Sequence, residues 1–140
     1  MDLDIAFLAD AADVSLGKLF VLGGAFDTIA VPGFPATHPV LAVALRLLFT
    51  PHDLDRQHVL EILLLNADGK TLTSAKIPDL MVRKSADFPP GWKQPLPLAL
   101  RFINIPFPQE GHYSIEILID GTMAKAIPLR VVQQGSGMTI

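Results

Sequence analysis

Two histidines and two aspartates fall within seven residues at His52-Asp53-Leu54-Asp55-Arg56-Gln57-His58. Imidazole nitrogen and carboxylate oxygen are ordinary zinc ligands, so His52, Asp53 and His58 form a candidate metal site and the seed of a metal-dependent enzyme. Their spacing matches no standard zinc motif, and His58 opens an extended run instead of staying in the loop. The plainer reading is a solvated loop in which Asp53 and Asp55 serve turn geometry. Asp10, Asp13 and Asp27 are a second candidate set. Two carboxylates converging in a cleft could divide general acid and general base work. Aspartates at strand ends usually bond nearby backbone amides, and that role is preferred: Asp13 at the turn near Ser15, Asp10 among Ala9, Ala11 and Ala12. Nucleophilic catalysis finds no support, because the chain has no cysteine and no Gly-x-Ser-x-Gly elbow. LGGAF lacks the Gly-x-Gly-x-x-Gly spacing of a phosphate cradle, and Pro32 follows too soon for a helix. No cofactor is expected.

Binding chemistry has a better candidate in Trp92, the only tryptophan. With Phe88 and Pro89-Pro90 it could form an aromatic platform for a sugar ring or for a partner's apolar side chain. Phe34, in the proline-rich stretch 32–39, would join Phe88 and Trp92 if that loop and the loop 79–95 met at one end of the domain. The preferred role for Trp92 is nonetheless a core plug at one end of the sandwich, since a large ring in a proline-rich loop of a small domain is usually needed inside.

Extended segments must hold these loops. Tyr113, Ile115, Ile117 and Ile119 alternate with His112, Ser114, Glu116 and Asp120, and only Leu118 breaks the pattern. A period of two marks a half-buried strand. Asp120-Gly121 and Asn66-Ala67-Asp68-Gly69 are hairpin signals, so 98–132 reads as three strands and 58–77 as two, with Pro78 ending the second pair. The segments 4–14 and 19–31 read as two more: the Ala-rich LADAAD of the first would also suit a helix turn, though a strand is preferred, and the second is interrupted by Gly23-Gly24, a bulge or close-approach signal. Three prolines make 32–39 a loop. Residues 40–49 are apolar on both faces apart from Arg46, which suggests a central strand covered by the core and by something else, a partner being the first candidate; a buried helix is the competitor, and ten residues do not decide between them.

The sum predicts an all-β domain over residues 1–132: a two-sheet antiparallel β-sandwich of about seven to eight strands with immunoglobulin-like or Greek-key topology. Tyr113, entering a late strand after a tight connection, resembles the tyrosine corner of such sandwiches. Residues 133–140 are expected to form a flexible tail. Half of the residues are hydrophobic and 18% are charged, against about 25% in an average soluble domain. That excess points to a buried subunit surface. Net charge is −3 with no basic stripe, so a nucleic-acid partner is not expected. No run approaches the ~20 apolar residues of a membrane helix, and Asp2 and Asp4 stand where a signal peptide would be positive. A soluble cytoplasmic protein is expected.

ADAADVSLGKLFVLGGAFDTI followed by FPATHPVLAVALRL resembles a group of small, uncharacterised bacterial proteins. The residues that carry the resemblance are Asp10, Asp13, Gly17, Lys18, Leu19, Gly23, Gly24, Phe26, Pro35, His38 and Pro39, with a later F-x-I…P-x-x-G-x-Y-x-I…DG pattern. The resemblance implies an all-β domain of unknown function and brings no catalytic residues with it. Together these features point to a non-enzymatic β-sandwich acting as a protein-interaction or assembly module, as a homo-oligomer or with a protein partner. A ligand-binding module for a carbohydrate or small apolar molecule, built on Trp92, Phe88 and Phe34, is the alternative. A metal-dependent enzyme on His52, Asp53 and His58 comes last.

Overall fold

The computed structural model describes residues 1–135. They form nine strands: β1 Asp2–Ser15, β2 Lys18–Phe26, β3 Thr28–Val31, β4 Ala36–Phe49, β5 His58–Leu65, β6 Thr71–Leu80, β7 Gln94–Phe107, β8 Gly111–Ile119 and β9 Thr122–Gln133. One sheet has the order β2-β1-β4-β7 and the other β3-β9-β8-β5-β6. All pairings are antiparallel except β3 with β9, which is parallel. The expected seven to eight strands become nine because the run 19–31 is cut at Asp27: β2 belongs to one sheet and β3 to the other. Of the expected tail, Gln133 belongs to β9, and the Gln134 amide donates to the Val31 carbonyl at 2.7 Å. Residues 136–140 lie outside those described.

The core lies between the sheets. Leu41, Val43, Leu45, Leu47 and Phe49 of β4 face Leu60, Ile62 and Leu64 of β5 and Ile115 and Ile117 of β8. Alternation in β5 and β8 follows directly, because every second residue meets the other sheet. Each fully buried aliphatic side chain of this kind contributes about 2 kcal/mol or more from area alone. The break at Leu118 coincides with a register shift between Ile117 and Leu118 against β9.

Prolines mislead where a strand has a neighbour on one side only. β4 begins at Ala36, inside the predicted loop, since β1 stops pairing with it at Ala42 and Pro39 leaves no bond unmade there. β7 begins at Gln94 despite Pro95 and Pro97, because it is an edge strand. β6 runs past Pro78 to Leu80 through a register shift against β5.

The second face of β4 is covered from within the chain. Ala42 and Ala44 are buried with Ala9 and Ala12, and Phe7, Leu19, Val21 and Ala99 pack against them. Cα atoms of β2 and β7 approach within 8 Å although two strands separate them in the sheet order. A flat sheet would hold them roughly 14 Å apart. The β1–β2 hairpin therefore folds back across the outer face of its own sheet. Two residues permit this. At Gly24 a Cβ would lie 2.6 Å from Val21 Cγ1 and 2.9 Å from Phe7 Cε2, and at Gly23 it would lie 2.2 Å from Asp10 Oδ2. The Gly23-Gly24 signal thus marks a real close approach, and Asp10 fills the space over a glycine.

Tyr113 closes the entry to β8. Its ring packs edge-on against Phe107 at 4.9 Å, and its hydroxyl donates to the Gln109 carbonyl at 2.6 Å. Tyr113→Phe keeps the ring and removes the donor. It is expected to cost about 1–2 kcal/mol in urea unfolding with an unchanged slope. Equal midpoints for the two proteins would show that the hydroxyl contributes nothing.

Candidate functional site

The loop 81–93 carries the chain from one sheet to the other between β6 and β7. Its sequence contains its own turns. The Phe88 amide donates to the Ser85 carbonyl at 3.4 Å, and the Trp92 amide to the Pro89 carbonyl at 3.2 Å. In the second turn Pro90 and Gly91 are the central pair, and Gly91 has φ 83°. Proline followed by a residue at positive φ is what a type II turn requires. Trp92 is therefore presented by a stiff turn, with its ring edge-on to Phe88 at 6.2 Å.

Neighbours brace the loop. Gln94 is one of two buried polar residues among those described. Its Oε1 accepts from the Ser85 amide at 3.0 Å, and its Nε2 donates to the Arg83 carbonyl at 3.2 Å. From the loop 50–57, the Asp55 amide donates to the Val82 carbonyl at 2.9 Å, and Asp55 Oδ1 accepts from the Lys84 amide at 3.2 Å. Between the two loops lies a groove of about 660 Å³, walled by Pro51, Leu54, Lys84, Phe88, Pro90 and Trp92. Its lining is mainly apolar with one cationic side chain, and Lys84 has no ion pair among the described residues.

Trp92 does not plug the sandwich: it is 67% exposed. The core is already filled by β-strand side chains, so nothing draws the ring inward. Phe34 does not join it. Phe34 packs partly buried against the main core beside the start of β4, where Ala36 pairs with Phe107, whereas Gln94 pairs with Phe49 at the far end. Thirteen residues of strand separate those ends, roughly 40 Å. Of the three rings expected together, only Phe88 and Trp92 meet.

The metal candidates have other partners. Asp53 Oδ2 accepts from the Thr50 hydroxyl at 2.6 Å and the Thr50 amide at 2.9 Å, and it lies 2.9 Å from the amino group of Met1. Burial alone would raise this carboxyl. The Thr50 hydroxyl, the Met1 ammonium and the Thr50 amide outweigh it and hold the pKa at about 2. His52 is exposed, and its carbonyl accepts from Arg56 at 3.3 Å. No group of three or more His, Cys, Asp or Glu side chains placed to hold a metal occurs among the described residues. Asp13 and Asp27 do local work as well: Asp13 Oδ1 accepts from the Val14 amide and Asp27 Oδ1 from the Thr28 hydroxyl.

His58 is buried, and both ring nitrogens are used. Nε2 lies 2.7 Å from the Asp53 carbonyl and Nδ1 lies 2.7 Å from Asp120 Oδ2. A carbonyl and an ionised carboxylate only accept, so this geometry favours the form in which both nitrogens donate, the imidazolium. Burial opposes that charge, but the bonds to Asp120 and to the Asp53 carbonyl outweigh it and raise the pKa of His58. His58 in turn lowers Asp120, with help from the Val59 amide that donates to Oδ1 at 2.8 Å. With no free nitrogen, His58 is a clamp and not a base. It ties the 50–57 loop, and through it the groove wall at Leu54, to the β8–β9 turn. Nothing in the sequence links positions 58 and 120; only the pairing of β5 with β8 brings them together.

The model of a family of unknown function, DUF6941, matches residues 4–132. The chain belongs to that family. The DUF6941 match covers both sheets, the His58 clamp and the whole aromatic loop; an unknown function is what the resemblance implied, and the two sheets make the domain all-β. No curated protein matches the chain. No helix long and apolar enough to cross a membrane occurs among the described residues.

The clamp has a pH window. His58, raised on folding, contributes stability fully below its ordinary value of 6.5 and loses it as pH rises through the higher folded value. Asp120 and Asp53, lowered on folding, contribute above their ordinary 3.8 and lose it as pH falls through their folded values. The clamp is whole between about pH 4 and pH 6.5. The urea midpoint should fall as pH rises from about 6 to about 9, and His58→Gln should flatten that fall. A wild-type midpoint that stays level there would show that His58 is not held charged.

Proposed function

We propose that this protein is a non-enzymatic interaction module that seats an apolar segment of a partner protein in the groove beside Phe88 and Trp92. One observation carries the reading: the only tryptophan stands 67% exposed on a loop stiffened by its own turns and by Gln94. Leaving a large ring in water forgoes about 2 kcal/mol or more of burial. A ring already held in place loses little freedom when a partner covers it, so that energy is recovered on binding. Tryptophan is one of the residue types enriched among such anchors.

The sandwich is proposed to be immunoglobulin-like. The parallel β3–β9 pair, the order β3-β9-β8-β5-β6 and the Tyr113 hydroxyl bond to Gln109 support that reading. Such sandwiches present their loops at the two ends, where recognition is built on a rigid frame. The groove's size favours a second reading as well, since about 300–1,000 Å³ is the range of small-molecule sites. Under it, a carbohydrate or small apolar molecule stacks on Trp92.

Trp92→Ala separates these roles from a structural one. Melting should stay within a degree or two of wild type. Peptides selected from a displayed library on the wild type should lose their binding to the variant. A loss of several degrees, or peptide binding that survives the change, would overturn the proposal. A glycan array probed with both proteins identifies the second reading by sugars bound in a Trp92-dependent way.

A further inference from the structure

Four strands lie at sheet edges: β2 and β7 in one sheet, β3 and β6 in the other. An edge offers a row of unpaired amides and carbonyls, and proteins normally blunt it with proline, charge, bulges or short length. Three of the four are blunted here. β7 carries Pro95, Pro97, Arg101 and Pro106, with Asn104 at φ 54°. β6 carries Lys76, Pro78 and Asp79 and is shifted in register against β5. β3 has four residues and runs into Pro32. β2 has nine residues, no proline, and Lys18 as its only charge. Its regular part is residues 18–22, paired without interruption to residues 11–15 of β1, because Gly23 and Ala25 then turn to positive φ.

The same strand exposes apolar side chains. Phe20 is 55% and Leu22 is 74% exposed, while Leu19 and Val21 point the other way into the cluster that covers β4. That underside anchors the hairpin, so the open edge is preformed and little order has to be created on binding.

We infer that β2 is a self-association edge, on which a second copy of this chain adds its own β2 antiparallel across a twofold axis at Phe20. The strand itself selects this occupant. Phe20 is the centre of the regular segment, so a twofold there sets Phe20 against the second copy's Phe20, an aromatic cross-strand pair. It also sets Lys18 against the second copy's Leu22, which keeps the two lysines apart and covers the more exposed apolar residue with a lysine stem. The only charge on the strand is thus accommodated by the symmetry, and a closed twofold uses up both open edges.

The chain has no cysteine, which makes the test clean. Phe20→Cys should form a disulfide-linked dimer under mild oxidation. Leu22→Cys alone should not, but Lys18→Cys mixed with Leu22→Cys should. Sedimentation of the wild-type chain at high micromolar concentration should show a dimer, and Phe20→Lys, which places two lysines face to face, should be a monomer with an unchanged circular dichroism spectrum. A wild-type monomer at that concentration overturns the inference, as does a dimer that survives Phe20→Lys. If Phe20→Lys fails to fold, the cysteine pairs decide alone: cross-linking at Leu22→Cys as efficient as at Phe20→Cys rules out the Phe20 axis. None of these measurements involves Trp92, so their failure leaves the groove proposal standing.

Discussion

Strand β4 has to bury both of its faces, and the architecture follows from that requirement. One face, from Leu41 to Phe49, meets the opposite sheet. The other offers Ala42 and Ala44, side chains too small to protrude, which lets a second layer approach closely. The β1–β2 hairpin supplies that layer by folding back over its own sheet. The fold-back needs glycine at position 24, where the Phe7 ring occupies the space of a Cβ. It also leaves β2 at the rim of the molecule with an apolar side turned outward.

A second constraint works at the far end of the sandwich, where few side chains hold two loops together. Gln94 satisfies two backbone groups of the 81–93 loop, Asp55 bonds to both Val82 and Lys84, and His58 joins the 50–57 loop to Asp120. The Gln94 side chain and Asp55 Oδ1 meet backbone groups that no ladder reaches, the Asp55 amide donates to the Val82 carbonyl, and His58 joins a loop carbonyl to the Asp120 carboxylate. Buried polar atoms that are fully paired stiffen their surroundings, and a half-satisfied set would cost more than an apolar one. The result is a braced rim around an exposed tryptophan.

Proline, glycine and aspartate were legible in different degrees. Asp120-Gly121 and the Asn66–Gly69 turn lie where they were read, because turn chemistry is local. The alternation of Tyr113, Ile115 and Ile117 was equally local and carried over intact. Pro39 and Pro78 were read as strand breakers and are not, since a proline breaks a ladder only where its nitrogen faces a neighbouring strand. Whether it does depends on strand order. His58 looked like a metal ligand within a loop cluster, and its true partner lies 62 residues away. Phe34 and Trp92 looked like one site, and the length of β4 separates them.

By itself the sequence determined the class of the fold, the position of most strands, the two hairpin turns and the close approach at Gly23-Gly24, and it shows that the chain carries no cysteine, no Gly-x-Ser-x-Gly elbow and no Gly-x-Gly-x-x-Gly cradle. Those follow from periods of two, from turn residues and from which atoms a side chain carries, all of which act over a few residues. Tertiary structure alone decided which strands form edges, what covers the second face of β4, that Trp92 stands out in solvent, and that His58 is paired with Asp120 and the Asp53 carbonyl. These depend on pairings between residues far apart in the chain, and the local pattern is the same whichever pairing is made.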